Sequence, residues 1–175
     1  MKIPTIDNTI EFNKQFVAEK RYEPFAAKRS AEKKIAIVAC MDTRLVELLP
    51  AALGIENGQA KLIKNAGAMI THPDGSVMRS ILVSIYALGV CEVMIIGHTD
   101  CGMRGMNASV LQKKMSDRGV TADLADMEWL CGFADDDDSV RNSVSIVKNH
   151  PMMPADIPVR GFMMDVVTGE LREIK

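Results

Sequence analysis

Two short clusters, Cys40-Met41-Asp42-Thr43-Arg44 and His98-Thr99-Asp100-Cys101-Gly102, each stand directly behind an apolar run. The runs are Lys34-Ile35-Ala36-Ile37-Val38-Ala39 and Val93-Met94-Ile95-Ile96-Gly97. Rich in β-branched residues and too short for helices, both predict buried strands. Two thiols and an imidazole then fall at the ends of two strands, where open α/β sheets place their ligand sites. Only a fold that sets those strand ends close together can unite the clusters.

The surrounding pattern alternates strand and helix. After the first strand (34–39), residues 45–53 read as a helix that stops near Gly54, with Pro50 a kink or break. A second strand covers 60–65 and enters the Asn65-Ala66-Gly67-Ala68 turn. Asp74-Gly75-Ser76 offers caps for a helix over 77–88 ended by Gly89, and a third strand follows over 92–97. Such alternation predicts right-handed crossovers and a parallel sheet. From Met106 the chain turns helical and polar. Asp135 to Asp138 precede a helix over 140–149, where negative charge suits a helix N-terminus; a solvated cap outweighs a divalent-ion site there. Pro151, Pro154 and Pro158 punctuate a coil before segments 159–167 and 170–174, which Thr168-Gly169 joins as a terminal hairpin or edge strand.

Residues 7–20 place Ile10, Phe12, Phe16 and Val17 among polar residues, an amphipathic helix that could pack on its own subunit or reach across to a partner. The expected fold is α/β: a mostly parallel central sheet flanked by helices, with an N-terminal helical arm over 1–30 and a C-terminal edge strand or hairpin. One domain over 1–175 fits the length, and a hydrophobic content of 47% is enough for a core without disulfides.

A net charge of −2 and a pI near 5.9 leave no electrostatic footprint for nucleic acid. No stretch approaches the roughly 20 apolar residues of a membrane helix, and the N-terminus lacks a signal-peptide pattern, so the expected address is the cytoplasm. In that reducing compartment metal or catalytic roles outweigh disulfides for the chemically placed cysteines. Cys91 and Cys131 read as buried or incidental thiols, and the 13 methionines as adaptable core and interface filling.

Cys40, His98 and Cys101 supply three soft ligands, and three protein ligands with an open fourth place make a catalytic zinc site, one zinc per chain. Two thiolates, a neutral imidazole and Zn2+ sum to no net charge. Water in the fourth place loses its proton far more readily than bulk water, though less so than beside three histidines unless neighbours compensate. Asp42 and Arg44 are the natural compensators: continued strand alternation would put Cys40 and Asp42 on one side, with Arg44 two further along. A guanidinium keeps the carboxylate ionised and oriented as an acceptor; if Arg44 lets go, Asp42 could become a fourth ligand and close the site. Each string alone is weak, since an Asp-x-Arg pair is often an N-cap with a surface ion pair. Their joint occurrence behind buried strands is stronger. Asp100 reads as a loop or cap residue rather than a ligand. His72 opens a turn and His150 ends a helix, so neither is a good fourth ligand.

Cys40-x-Asp42-x-Arg44 with His98-x-x-Cys101-Gly102, and Lys64-Asn65-Ala66-Gly67 between them, resemble the β-class carbonic anhydrases, particularly the short bacterial members. The likeness runs in order over 34–102, and the tail from Asp156 to Leu171 also resembles that family's end. Thr43 stands where many relatives have serine, and Lys64 where many have arginine. The resemblance implies zinc on Cys40, His98 and Cys101, with Asp42 and Arg44 as the dyad that gates and orients the zinc hydroxide. It implies reversible hydration of carbon dioxide to bicarbonate, and a homodimer, sometimes paired into a tetramer, with clefts at the subunit interface. Two alternatives share the same ligands: a carbon disulfide or carbonyl sulfide hydrolase, and a non-catalytic zinc module closed by Asp42.

Overall fold

A computed structural model describes residues 5–27, 31–121, 123 and 127–175. Five strands make one sheet: β1 (Ile35–Cys40), β2 (Lys61–Asn65), β3 (Glu92–His98), β4 (Val159–Met164) and β5 (Leu171–Ile174). Their order is β2-β1-β3-β4-β5, parallel from β2 to β4, with β5 antiparallel on the edge. The α/β reading and the mostly parallel sheet hold.

β1 and β3 are apolar without alternation because both of their faces are covered, as a central parallel strand requires. On one face Ile37, Ala39 and Ile96 pack with Leu45 and Leu49 of α2 (Leu45–Ala52) and with Phe162 and Met164 of β4. On the other, Val38, Val93 and Ile95 meet Met78 and Ile81 of α3 (Ser76–Leu88) and Val147 of α5 (Asp136–Lys148). Leu45 and Leu49 are fully buried, and burial of each such side chain stabilises the fold by about 2 kcal/mol. These contacts fix α2, which starts immediately after Arg44.

Local chemistry sets the ends. α3 stops at Gly89, whose φ of 75° is open to glycine at little cost. Gly97 lets α5 approach the sheet just before His98: an added Cβ would lie 2.7 Å from Met163 Sδ and 2.9 Å from Val140 Cγ2. Pro50 neither stops nor breaks α2, which runs two residues past it. β4 and β5 form the expected hairpin, and the Asp165 carboxylate secures its turn by accepting from the N–H groups of Val167 and Thr168.

Two expectations need correction and a third is narrowed. β1 ends at Cys40, so strand alternation does not place Asp42; Leu45 N–H donates to the Asp42 carbonyl in the turn that opens α2. The aspartate run belongs largely to α5 itself. Asp135 caps it, while Asp136, Asp137 and Asp138 pair with Arg104, Arg172 and Arg141, which leaves no free acidic cluster for a divalent ion. Cys91 is exposed, so of the buried and incidental readings the incidental one stands for it.

The N-terminal helix α1 (Ile6–Ala18) is capped by Thr5 and buries none of its residues. Residues 1–4 and 28–30 of the expected arm lie outside the described residues. α4 (Ala108–Ser116) accounts for the polar helical stretch after Met106.

Candidate metal centre

Parallel pairing of β1 with β3 sets the C-terminal ends of adjacent strands side by side, with Ala39 opposite Ile96. Cys40 is the last residue of β1 and His98 the last of β3; Cys101 follows in the loop after β3. The two sulfurs, 61 residues apart in sequence, lie 3.9 Å from each other, and both cysteines are free. Ligand atoms of Cys40, His98 and Cys101 all fall within 4.8 Å of one another, and all three residues are buried.

The imidazole has a defined orientation. His98 Nδ1 lies 2.8 Å from the Thr99 carbonyl, an acceptor only, so Nδ1 carries the proton and Nε2 keeps its lone pair. That Nε2 is buried and has no hydrogen-bond partner. A buried unpaired nitrogen is costly, and a cation held by Nε2 and two sulfurs resolves it. The Thr99 loop is itself secured by β4 and the chain after it: Thr99 N–H donates to the Met164 carbonyl, and Val166 N–H donates to Thr99 Oγ1.

The thiols behave as a pair. The Cys101 thiol beside Cys40 drives the Cys40 pKa down against the opposing effect of burial, helped by His98 and by the backbone at Asp42 and Gly67. Cys101 is pushed up in turn, first by that bond and then by burial. One thiolate therefore forms readily and the second proton stays until a cation compensates, a donor set that suits zinc. Burial would lower the His98 pKa, but the Cys40 thiolate, the Thr99 carbonyl and Asp42 together raise it.

Asp42 stands over this cluster, its Oδ2 3.9 Å from His98 Nε2. Arg44 holds it in a fork, with Nε to Oδ1 at 3.0 Å and Nη2 to Oδ2 at 2.8 Å, and Arg44 N–H adds a bond to Oδ1. That fork keeps the Asp42 carboxyl well below the usual carboxylate range. Lys64, near the end of β2, donates from Nζ to the carbonyls of Cys40 and Leu45 and so braces the turn carrying Asp42. Burial lowers its pKa, against the pull of Cys40 and Asp42.

Two features escape sequence reasoning. Asp100 is neither cap nor ligand: its carboxylate accepts from Arg44 Nη1 at 2.8 Å, and its carbonyl accepts from Nη2 at 2.9 Å. Its φ of 55° lies in the left-handed region, which Asp tolerates better than most residues, but no local pattern announces it. The second is a cleft of about 300 Å³ beside the cluster, lined by Asn65, Met69, Ile70, His72, Met103 and Trp129 among others. The three candidate ligands do not line it. Asn65, paired with Cys40 across the sheet, and Met103, two residues past Cys101, connect it to them. His72 Nδ1 instead accepts from Asp74 N–H within its turn.

Comparison with known proteins agrees with this geometry. A protein-family model described as carbonic anhydrase matches residues 35–129, more than half of the chain. The Bacillus subtilis protein named "Putative carbonic anhydrase YvdA" is 48% identical over 176 residues, covering 95% of this chain and 89% of its own. The crystal structure of β-carbonic anhydrase isoform I from Trichomonas vaginalis superposes with a TM-score of 0.88 at 34% identity, covering 98% of each chain. A carbon disulfide hydrolase from Acidithiobacillus thiooxidans is more distant, 29% identical over 80% of this chain and 76% of its own. Sequence identity and backbone agreement along nearly the whole length, rather than at the clusters alone, place this chain in the β-carbonic anhydrase family.

Proposed function

We propose that the protein is a zinc enzyme that reversibly hydrates carbon dioxide to bicarbonate and a proton, with one zinc per chain held by Cys40, His98 and Cys101. The observation that carries this is the unpartnered Nε2 of buried His98, converging with two thiol sulfurs beneath an ion-paired carboxylate. Zinc, when bound, supplies a Lewis acid that lowers the pKa of water at its open position.

The chain's own residues do the rest. Asp42, kept ionised by Arg44, serves as a hydrogen-bond acceptor that orients the attacking water without retaining its proton. Arg44 fixes that carboxylate through two of its nitrogens, the bidentate geometry a guanidinium favours. Released from Arg44, the same carboxylate lies near enough to act as a fourth ligand and close the site. Lys64 and the Thr99 carbonyl hold the two loops in place. The apolar part of the neighbouring cleft, including Met103 and Ile70, offers a nonpolar surface for carbon dioxide.

Stopped-flow measurement of carbon dioxide hydration by the zinc-loaded protein is the test. Turnover of carbon dioxide that exceeds turnover of carbon disulfide and carbonyl sulfide is expected. The reverse ranking would make the chain a hydrolase of those sulfur compounds, and no turnover of any of them would leave a zinc-holding module closed by Asp42.

The same reading makes the protein a cytoplasmic homodimer, free to pair further into a tetramer, acting on a small molecule and on neither nucleic acid nor membrane. Among the described residues no helix is long and apolar enough to cross a membrane. All four cysteines are free, as a reducing compartment favours. On α1, Ile6, Ile10 and Val17 share one helical face and are 79%, 51% and 53% exposed. A second copy of the chain is the natural cover for that face. Sedimentation equilibrium should show a dimer that Ile10→Asp shifts toward monomer at micromolar concentration; a monomeric parent would contradict the assignment.

A further inference from the structure

We propose that Asp100 is a positioning residue, which fixes the Asp42–Arg44 pair relative to the metal ligands by gripping Arg44 from the opposite loop. The inference rests on the reading of Asp42 and Arg44 as the catalytic dyad. Asp42 and Arg44 are only two residues apart on one turn, so their fork could swing as a unit without breaking. The Asp42 carboxylate of that fork approaches the segment from His98 to Cys101 at Oδ2, 3.9 Å from His98 Nε2 and beyond hydrogen-bond reach. Asp100 lies between those two residues and supplies the tie twice, through its carboxylate on Nη1 and its carbonyl on Nη2.

The grip depends on an uncommon backbone. At a φ of 55° the residue pays a conformational penalty that glycine would avoid, and an aspartate there supplies the charge that glycine lacks. An isolated exposed ion pair would achieve little, and the Asp100 side chain is 83% exposed. This pair is not isolated. Asp42 already orders the guanidinium, so a second carboxylate holds it without ordering that long side chain anew. The two aspartates raise the Arg44 pKa further still, Asp42 more than Asp100, so the cation is permanent. Asp42, Arg44 and Asp100 thus form a bridge between the segments that follow β1 and β3, the strands whose last residues are Cys40 and His98.

The left-handed backbone makes the test clean. Asp100→Gly removes the carboxylate and eases the backbone, so loss of folding cannot account for its effect; Asp100→Asn keeps the shape and removes the charge. Three quantities are measured on the zinc-loaded protein: zinc per chain, stopped-flow kcat and KM for carbon dioxide across neutral and alkaline pH, and hydrogen exchange at Arg44 Nε–H. The exchange is followed by NMR, with the resonance assigned through Arg44→Lys. Zinc content should stay at one per chain in both variants. In Asp100→Gly, kcat should fall about tenfold with KM little changed, as misplacement of a catalytic pair predicts. Arg44 Nε–H exchange should quicken by a similar factor, and Asp100→Asn should fall between Gly and the parent. The proposal is overturned if Asp100→Gly leaves the exchange at the parental rate, whatever happens to kcat, or if it retains parental kcat. If the parent protein hydrates no carbon dioxide, the function reading fails separately. The exchange measurement still decides whether Asp100 holds Arg44: acceleration supports the grip and an unchanged rate rejects it.

Discussion

Cys40→Ser, His98→Ala and Cys101→Ser are each expected to lose most bound zinc and nearly all carbon dioxide hydration. Each change deletes one of the three proposed protein ligands, and the two left behind cannot make a closed coordination set. Loss of an outer-sphere partner typically costs 10- to 100-fold in metal affinity, so loss of a ligand should exceed about a hundredfold. His98→Ala has a further cost, because it opens a cavity beneath Asp42 where a buried ring stood. Metal analysis after dialysis against a weak chelator, alongside stopped-flow assay, reads both effects. Stoichiometric zinc retained by all three variants would show that the metal is bound elsewhere.

Removal of either partner of the Asp42–Arg44 fork should abolish most turnover while zinc content stays near one per chain. A drop of about a hundredfold or more is expected, the scale set by loss of a positioned acid–base group. The two variants should differ in how they fail. Arg44→Ala frees the carboxylate and lets its pKa return toward the ordinary value, favouring a closed site with Asp42 on the metal. Asp42→Ala cannot close the site, so an added anion such as thiocyanate should bind the metal at every pH. The sign of the pH dependence in the parent follows. A carboxyl depressed in the folded state contributes stability that is present above its unfolded pKa of about 3.9 and fades as pH falls below it. Between neutral and alkaline pH Asp42 therefore stays charged, and a rise of activity through that window reports loss of a proton from water at the site, not from Asp42. Full activity in both zinc-loaded variants would rule out a working dyad.

The parts of this fold that are legible in the sequence are local or strongly periodic. The central strands announce themselves because both of their faces are buried, so Ile35 to Cys40 and Glu92 to His98 carry long apolar runs. Gly89 marks the end of α3 through its left-handed backbone, and Thr168-Gly169 marks the hairpin. Misreadings arose where a tertiary contact decides. Asp42 reaches the cluster as expected but not through strand periodicity, since the chain turns after Cys40 to start α2. The aspartates from 135 onward do supply a helix cap through Asp135 and a local pair, Asp138 with Arg141, but Asp136 and Asp137 meet Arg104 and Arg172 from distant parts of the chain. Asp100 meets Arg44 across 56 residues through a backbone conformation that side-chain pattern does not encode.

The parallel register of β1 and β3 has a thermodynamic consequence. Bringing Cys40 and Cys101 together in an open chain would carry the closure entropy of a 61-residue loop, a term that grows with the logarithm of its length. Here the sheet hydrogen bonds and the buried faces of two strands meet much of that cost independently of the metal. The more of that cost the sheet meets, the more of the zinc binding energy appears as affinity rather than being consumed in folding the chain. By mass action the same energy returns as added resistance to unfolding whenever free zinc exceeds the dissociation constant. Metal supply and lifetime of the folded chain are thereby linked through one equilibrium.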